Sequence, residues 1–312
     1  MTHPSQWKTI IRSLLVVLFL LGAAAVQAAP YLLVLGIAQD GGYPHMGCKK
    51  KCCKTAWEQV SKRRSVVSLA LVDPAAKKWW LFEASPDIKE QLHYFAQLTK
   101  GAYKYLPDGI FITHAHIGHY TGLMELGREV MNTRHIPVYV LPRLKKYLED
   151  NGPWSQLVQL GNINLVELHT DVSLDIAKGI SVAAFTVPHR DEFSETAGFR
   201  IGAAGRKYLF IPDINKWATW DKDIVTEVQH CDIALLDATF YSTGELGKIN
   251  IAEVPHPFVT ETMQLFAHAN AATKGKIHFI HFNHTNPLLW DAGTRARVLR
   301  SGYHLAGQGE KL

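Results

Sequence analysis

The stretch Phe111-Ile-Thr-His114-Ala-His116-Ile-Gly118-His119-Tyr-Thr-Gly122 limits what this 312-residue chain can fold into more than any other part of it. Its lead-in, Ile110 to Thr113, has the β-branched and aromatic character of a buried strand. Three imidazoles then follow within six residues. In extended backbone, residues two apart share a face, so His114 and His116 can converge on one ion, while His119, past a turn, can face a second. Unrelated surface histidines would not need a buried strand in front of them. The fold must therefore bring a strand end, a turn and a helix start together with ligands from elsewhere.

From Tyr31 onward, short apolar runs alternate with helical patterns, with no long polar linker, tandem repeat or low-complexity tract, which predicts one α/β domain over 29–312. Strands are expected at 31–35, 66–72, 79–82, 110–113, 138–141, 180–187, 208–211, 233–236 and 277–282. The clearest helix signal opens at Ser85 as N-cap, with Pro86 in its first turn, and runs to about Leu98. Further helices are expected at 122–131, 144–150, 221–229, 259–268 and 292–299. Several strands run into Glu83, His114, His189, Asp213, Asp237 or His281. Polar residues at strand mouths are what a site along one edge of a sheet sandwich requires.

Residues 1–28 form a separate object. Lys8 and Arg12 precede the apolar run Leu14 to Leu21, and small residues then lead to Val26-Gln27-Ala28, the pattern of a cleaved secretory signal. Export to the periplasm follows as an expectation, with no stable membrane insertion after cleavage. Losing Lys8 and Arg12 lowers the formal net charge from +5 to +3, too little and too scattered for a nucleic-acid groove. The oligomeric state is open.

Four cysteines in an exported chain suggest disulfides. However, Cys48, Cys52 and Cys53 are crowded within six residues, where bridges between neighbours are strained, and three close thiols suit a metal better. Disulfide pairing stays open as the alternative. Cys231, far away in an apolar stretch, is most simply a small core residue.

The His-x-His-x-x-His run resembles the H-x-H-x-D-H signature of the metallo-β-lactamase superfamily, and the likeness extends over almost the whole mature chain. It implies a four-layer αββα sandwich. His114 and His116 match the first two signature histidines, His189 in Val-Pro-His-Arg the third, Asp213 in Phe-Ile-Pro-Asp the bridging aspartate, and His281 in Phe-Ile-His-Phe-Asn-His the last. Within the superfamily the chain is similar to the branch holding the pyrroloquinoline quinone biosynthesis protein B and the cyclic phosphodiesterase of the carbon–phosphorus lyase pathway. The Gly-rich strand exit Leu35-Gly-Ile-Ala-Gln-Asp-Gly-Gly before Cys48, and the tail Asn283-His-Thr-Asn286-Pro, carry that likeness.

The resemblance implies a structural zinc on Cys48, Cys52, Cys53 and His284. Adjacent residues are awkward partners in a tetrahedron, so one of Cys52 and Cys53 could be a bystander. It also implies a first catalytic metal on His114, His116, His189 and Asp213, and a second on His119, Asp213 and His281. At Gly118 the family has an aspartate ligand for that second ion; its loss should weaken the second position. Zinc is the expected ion, with iron or manganese suited to the same donors. Asp213 and His256 are the candidate catalytic residues, and Glu83 is expected to steady the histidine loop. Asp40, His45, Glu192 and Asp237 are expected to line the mouth. His93, His135, His169, His230, His268, His278 and His304 are expected to be surface or hydrogen-bonded histidines.

These residues point first to a metal-dependent hydrolase using a metal-activated water on a phosphodiester or other small ester. An iron-dependent oxidative enzyme and a non-catalytic metal- or ligand-binding protein are the alternatives. A small-molecule substrate is expected in each enzymatic case.

Overall fold

The apolar runs become the strands of two sheets in the computed structural model, which describes residues 28–245 and 254–312. All of the proposed signal segment except Ala28 lies outside the described residues. The first sheet takes β1 (Tyr31–Gly36), β2 (Ser68–Asp73), β3 (Lys78–Phe82), β4 (Gly109–Phe111), β5 (Ile136–Val140) and β6 (Ile163–Glu167) in chain order. Its first three strands pair antiparallel and β3 to β6 pair parallel. The second sheet takes β7 (Ser173–Ala177), β8 (Ile180–Val187), β9 (Thr196–Ala203), β10 (Arg206–Ile211), β11 (Ile233–Asp237), β12 (Ile277–Ile280) and β13 (His304–Leu305), also in order. Here β7 to β10 alternate in direction, and β10 to β13 run parallel.

Alternation of side chains along each strand gives every sheet two apolar faces, and each must be covered. Between the sheets, Phe82 and Phe111 stack at 4.8 Å and meet Phe199 edge-on at 5.4 and 5.7 Å. The outer face of the first sheet, with Leu33, Leu35, Trp79 and Leu81, packs on Ile88, Leu92 and Phe95 of helix Ile88–Leu98 and on Leu144 and Leu148 of helix Pro142–Asp150. The second sheet is covered by Ile224 and Val228, by Val259 and by Val298, from helices Ile224–Gln229, Val259–Leu265 and Ala292–Arg300. This is the expected αββα sandwich. Its connections send the C-terminal ends of β8, β10, β11 and β12 to one edge, because β8 and β10 are both antiparallel to β9.

Three differences from the sequence expectation have local causes. Ser85 is not the helix cap: the helix starts at Ile88 after Asp87, and the Ser85 hydroxyl accepts from the Asp87 N–H and donates to Gln91. The helix expected at 122–131 is a short α turn, Ile117–Tyr120, followed by a 3-10 turn, Thr121–Leu126. Its backbone is drawn into tertiary bonds, Ala84 N–H to His119 O and Gly122 N–H to Ala84 O, each 2.9 Å. Strand β9 gives little β-propensity signal, with two glycines and two alanines, yet it is buried. Small residues are needed there, since a Cβ on Gly198 would run into the Phe185 ring.

His278, expected to be a surface or hydrogen-bonded residue, is instead buried on β12 with its Nδ1 unpartnered, stacked on His304 at 4.7 Å. Burial, then the neighbouring His304, pushes its pKa down from 6.5 to about 4. The unfolded chain therefore binds a proton on this residue between pH 6.5 and 4 that the folded protein refuses. Stability is full above that window and falls as the pH drops through it, by up to about 3 kcal/mol. In His278→Phe, chemical denaturation at stepped pH should show a correspondingly smaller acid loss. A second expectation concerns Gly122, where an added Cβ would overlap Ser85 O and lie 2.9 Å from Ala84 O. Gly122→Ala should cost about 2 kcal/mol by forcing the histidine turn off the end of β3, read as a lower urea midpoint at unchanged slope.

Candidate metal centre

Most side chains of the centre leave the end of a strand or the turn just beyond it, and His256 reaches it from the segment before helix Val259–Leu265. Glu83 follows β3, His114 lies three residues past β4, His189 two past β8, Asp213 two past β10, Asp237 ends β11 and His281 follows β12. Glu83 and His281 adopt left-handed backbone, with φ of 69° and 66°, which turns the chain sharply off the sheet. Such conformations are costly for residues with a Cβ and persist where surrounding structure holds them.

His114 Nε2, His116 Nδ1, His189 Nε2 and Asp213 Oδ2 face one another. His114 Nε2 lies 2.8 Å from His116 Nδ1, and His189 Nε2 lies 3.2 Å from His116 Nδ1. Asp213 Oδ2 is 3.3 Å from His114 Nε2 and 3.2 Å from His189 Nε2. A tetrahedral zinc with bonds of about 2.0–2.1 Å sets its donors about 3.3 Å apart, so the four atoms fit one ion. The histidine nitrogens not in the cluster are held: Thr113 Oγ1 is 2.8 Å from His114 Nδ1, Asn215 Oδ1 accepts from His189 Nδ1 at 3.2 Å, and Glu192 lies 3.3 Å from His116 Nε2. Partners of this kind fix which ring nitrogen is free to bind. Burial, with His119 beside it, keeps the His114 pKa well below the usual range and so favours the neutral, ligating form.

Beside this cluster, Asp213 Oδ2 also lies 3.7 Å from His119 Nε2. Asp40 Oδ1 is 3.3 Å from His119 Nε2 and 3.7 Å from His281 Nε2. Asp40 Oδ1, His119 Nε2 and His281 Nε2 are all buried with no hydrogen-bond partner. A cation among them would satisfy all three at once, since orphaned buried polar atoms are otherwise costly. The sequence left this second group with His119, Asp213 and His281; the structure adds Asp40. Glu83 sits behind it, 3.5 Å from His119 Nδ1, as expected of a residue that steadies the loop.

Thr239 and Asp237 form a support that the sequence did not single out as such. Thr239 Oγ1 donates to Asp237 Oδ1 at 2.7 Å and lies 3.0 Å from His281 Nδ1. Asp237 is fully buried and does not line the mouth, contrary to expectation. His256 Nδ1 donates to Asp237 Oδ2 at 2.9 Å and lies 3.2 Å from Asp213 Oδ1. Burial opposes charge on His256, but Asp237 and then Asp213 outweigh it and raise its pKa to about 10. Asp213 is itself held well below the usual carboxylate range: burial works against this, and His189 and His256 prevail.

The cysteine cluster is a second, separate group. Cys48, Cys52, Cys53 and His284 bring their ligand atoms within 4.8 Å of one another, and none of the cysteines is in a disulfide. Cys52 and Cys53 both place their sulfurs in the group. Cys48 Sγ lies 3.8 Å from Cys52 Sγ, the spacing of about 3.8 Å that bonds of about 2.3 Å impose on a tetrahedral zinc. Burial, then His45 and Lys50, pushes the His284 pKa down to about 4, leaving a neutral ring. The His45 ring lies tilted against His284 at 4.3 Å and so sits against this cluster rather than at the mouth. Glu192 is exposed beside His116. Cys231 is a buried core residue.

Residues 78–279 match the family described as the beta-lactamase superfamily domain. Two curated relatives named coenzyme PQQ synthesis protein B align along nearly their whole length. The one from Methylorubrum populi is 26% identical over 306 residues, covering 90% of this chain and 99% of its own. That from Methylococcus capsulatus is 28% identical over 309 residues, covering 89% and 98%. The fold is similar to that of zinc-bound PqqB from Methylobacterium extorquens, with a TM-score of 0.70 at 24% identity over 90% of this chain and 99% of the other. It is also similar to a diphosphatase of the PhnP family, with a TM-score of 0.62 at 20% identity over 91% and 97%.

The Thr239 hydroxyl touches His281, Asp237 and His256 at once. Thr239→Val should weaken zinc binding at the histidine centre about 10- to 100-fold in chelator competition, while the cysteine cluster keeps its ion.

Proposed function

Because the chain belongs to the beta-lactamase superfamily, we propose that it is a metal-dependent hydrolase acting on a phosphodiester or another small ester. The observation that carries this is the convergence of His114 Nε2, His116 Nδ1, His189 Nε2 and Asp213 Oδ2 at the spacing of one tetrahedral ion, with His256 beside Asp213. Held by His114, His116, His189 and Asp213, a zinc ion would supply a water acidified to a pKa of about 7 and a Lewis acid for a carbonyl or phosphoryl oxygen. The chain's own groups do the rest. Thr113 and Asn215 hold the rings of His114 and His189 so that their Nε2 atoms point inward. Asp213 lies within reach of both groups of ligands and of His256.

His256 Nδ1 is held by Asp237 beside Asp213, which leaves Nε2 as the nitrogen to pass a proton to a leaving oxygen. The half-exposed Glu192 beside His116 marks the side open to substrate. The diphosphatase among the fold neighbours supports phosphoryl chemistry on this sandwich. The likeness to coenzyme PQQ synthesis protein B supports a second possibility, oxidative chemistry on iron through the same histidines and carboxylates. The Lys8–Ala28 segment supports export as part of the proposal.

Elemental analysis of the purified protein beside His116→Ala and Cys48→Ser tests the centre, and turnover of bis-p-nitrophenyl phosphate tests the reaction. His116→Ala should lose zinc from the histidine centre and at least about 100-fold in kcat/KM, and Cys48→Ser should lose one separate zinc. Full metal retention in His116→Ala would overturn the centre. Iron in place of zinc, with activity that requires oxygen, would move the assignment to the oxidative chemistry.

A further inference from the structure

Resting on the metal-hydrolase proposal, we infer that Asp40 supplies the carboxylate of a second metal position, from the loop after β1 and in place of the side chain that Gly118 lacks. Gly118 is buried in the short turn Ile117–Tyr120 between His116 and His119. A Cβ built on it would overlap Asp40 Oδ1 and lie 2.7 Å from Asp40 Cα and 2.8 Å from Asp40 Cγ. The Asp40 side chain thus fills the volume into which any residue at 118 would project. Because the backbone Cα of residue 40 lies as close as its carboxylate, position 118 takes a glycine wherever this loop runs past the histidine turn.

Asp40 is held there independently of His119. Gln39 N–H donates to Phe282 O at 2.9 Å, Phe282 N–H donates to Ile37 O at 2.8 Å, and Gly42 N–H closes the turn on Gln39 O at 2.7 Å. These bonds tie the Asp40 loop to the turn that carries His281, so the two ligands move as one unit. The result is Asp40 Oδ1, His119 Nε2 and His281 Nε2 around a common point, with Asp213 Oδ2 shared with the first group. One carboxylate and two imidazoles with a bridging carboxylate suit zinc or another first-row divalent ion. Three of these atoms are buried without a well-formed hydrogen bond, and a shared cation would satisfy all three.

Zinc per chain and stepwise zinc affinity, measured on the full chain after exhaustive dialysis, test this with Asp40→Asn, Asp40→Ala and Gly118→Ala. The parent should hold three zinc ions, and Asp40→Ala two. Asp40→Asn, which preserves shape, should weaken the third ion at least about tenfold. Gly118→Ala, by displacing Asp40, should lose the same ion although alanine removes no ligand. Circular dichroism confirms that each variant folds. A parent holding only two ions, or an Asp40→Ala protein that keeps three at unchanged affinity, overturns the inference. His116→Ala separates the two proposals, because the first centre fails only if that variant keeps its full complement.

Discussion

The buried carboxylate of Asp213 is the constraint on which the rest of the centre depends. It is almost wholly removed from water, yet it lies within 3.7 Å of nitrogens on His114, His119 and His189, and its other oxygen faces His256. A buried charge is tolerated only where opposite charge or donors surround it. Four separate chain segments must therefore arrive at one point. That requirement explains the edge: parallel strands β10 to β12, with β8 alongside, all finish there, and β3 and β4 of the facing sheet bring Glu83 and His114 to meet them.

The aromatic layer between the sheets serves the same end. Phe82 and Phe111 belong to the strands that lead into Glu83 and His114, and both pack on Phe199 of the second sheet. Packing at the density of an organic crystal transmits little slack. The sandwich interior thus sets the distance between ligands from the two sheets, with Phe199 of β9 as the contact from the second sheet.

The two ligand clusters differ in how they are built. The cysteine group comes from one short stretch and a helix start, closed by His284 from far along the chain, and stands as a staple between the loop after β1 and the tail after β12. The histidine centre is assembled from strand ends and has an exposed flank at Glu192. A closed set of thiolates suits a structural ion, and an open flank suits one that meets substrate.

The residue pattern by itself determined the α/β class, the strand ends and the histidine turn, because imidazoles two residues apart after a buried strand leave few other uses, and the likeness to the superfamily supplied the sandwich and the distant ligands. His114, His116 and His119 were legible in this way, and His189, Asp213 and His281 through the likeness. Helix Lys51–Glu58 and strand β9 were not, since their residues have weak local preference and are held by what they pack against. Nor was the place of Asp40. Read along the chain it is one acid in a glycine-rich loop, and Gly118 reads as a lost ligand. Only the tertiary structure sets the two against each other, because the loop carrying Asp40, 78 positions away, fills the space into which a side chain at 118 would project. Thr239 is the same kind of case: a hydroxyl becomes a support when folding places it between a buried carboxylate and an imidazole.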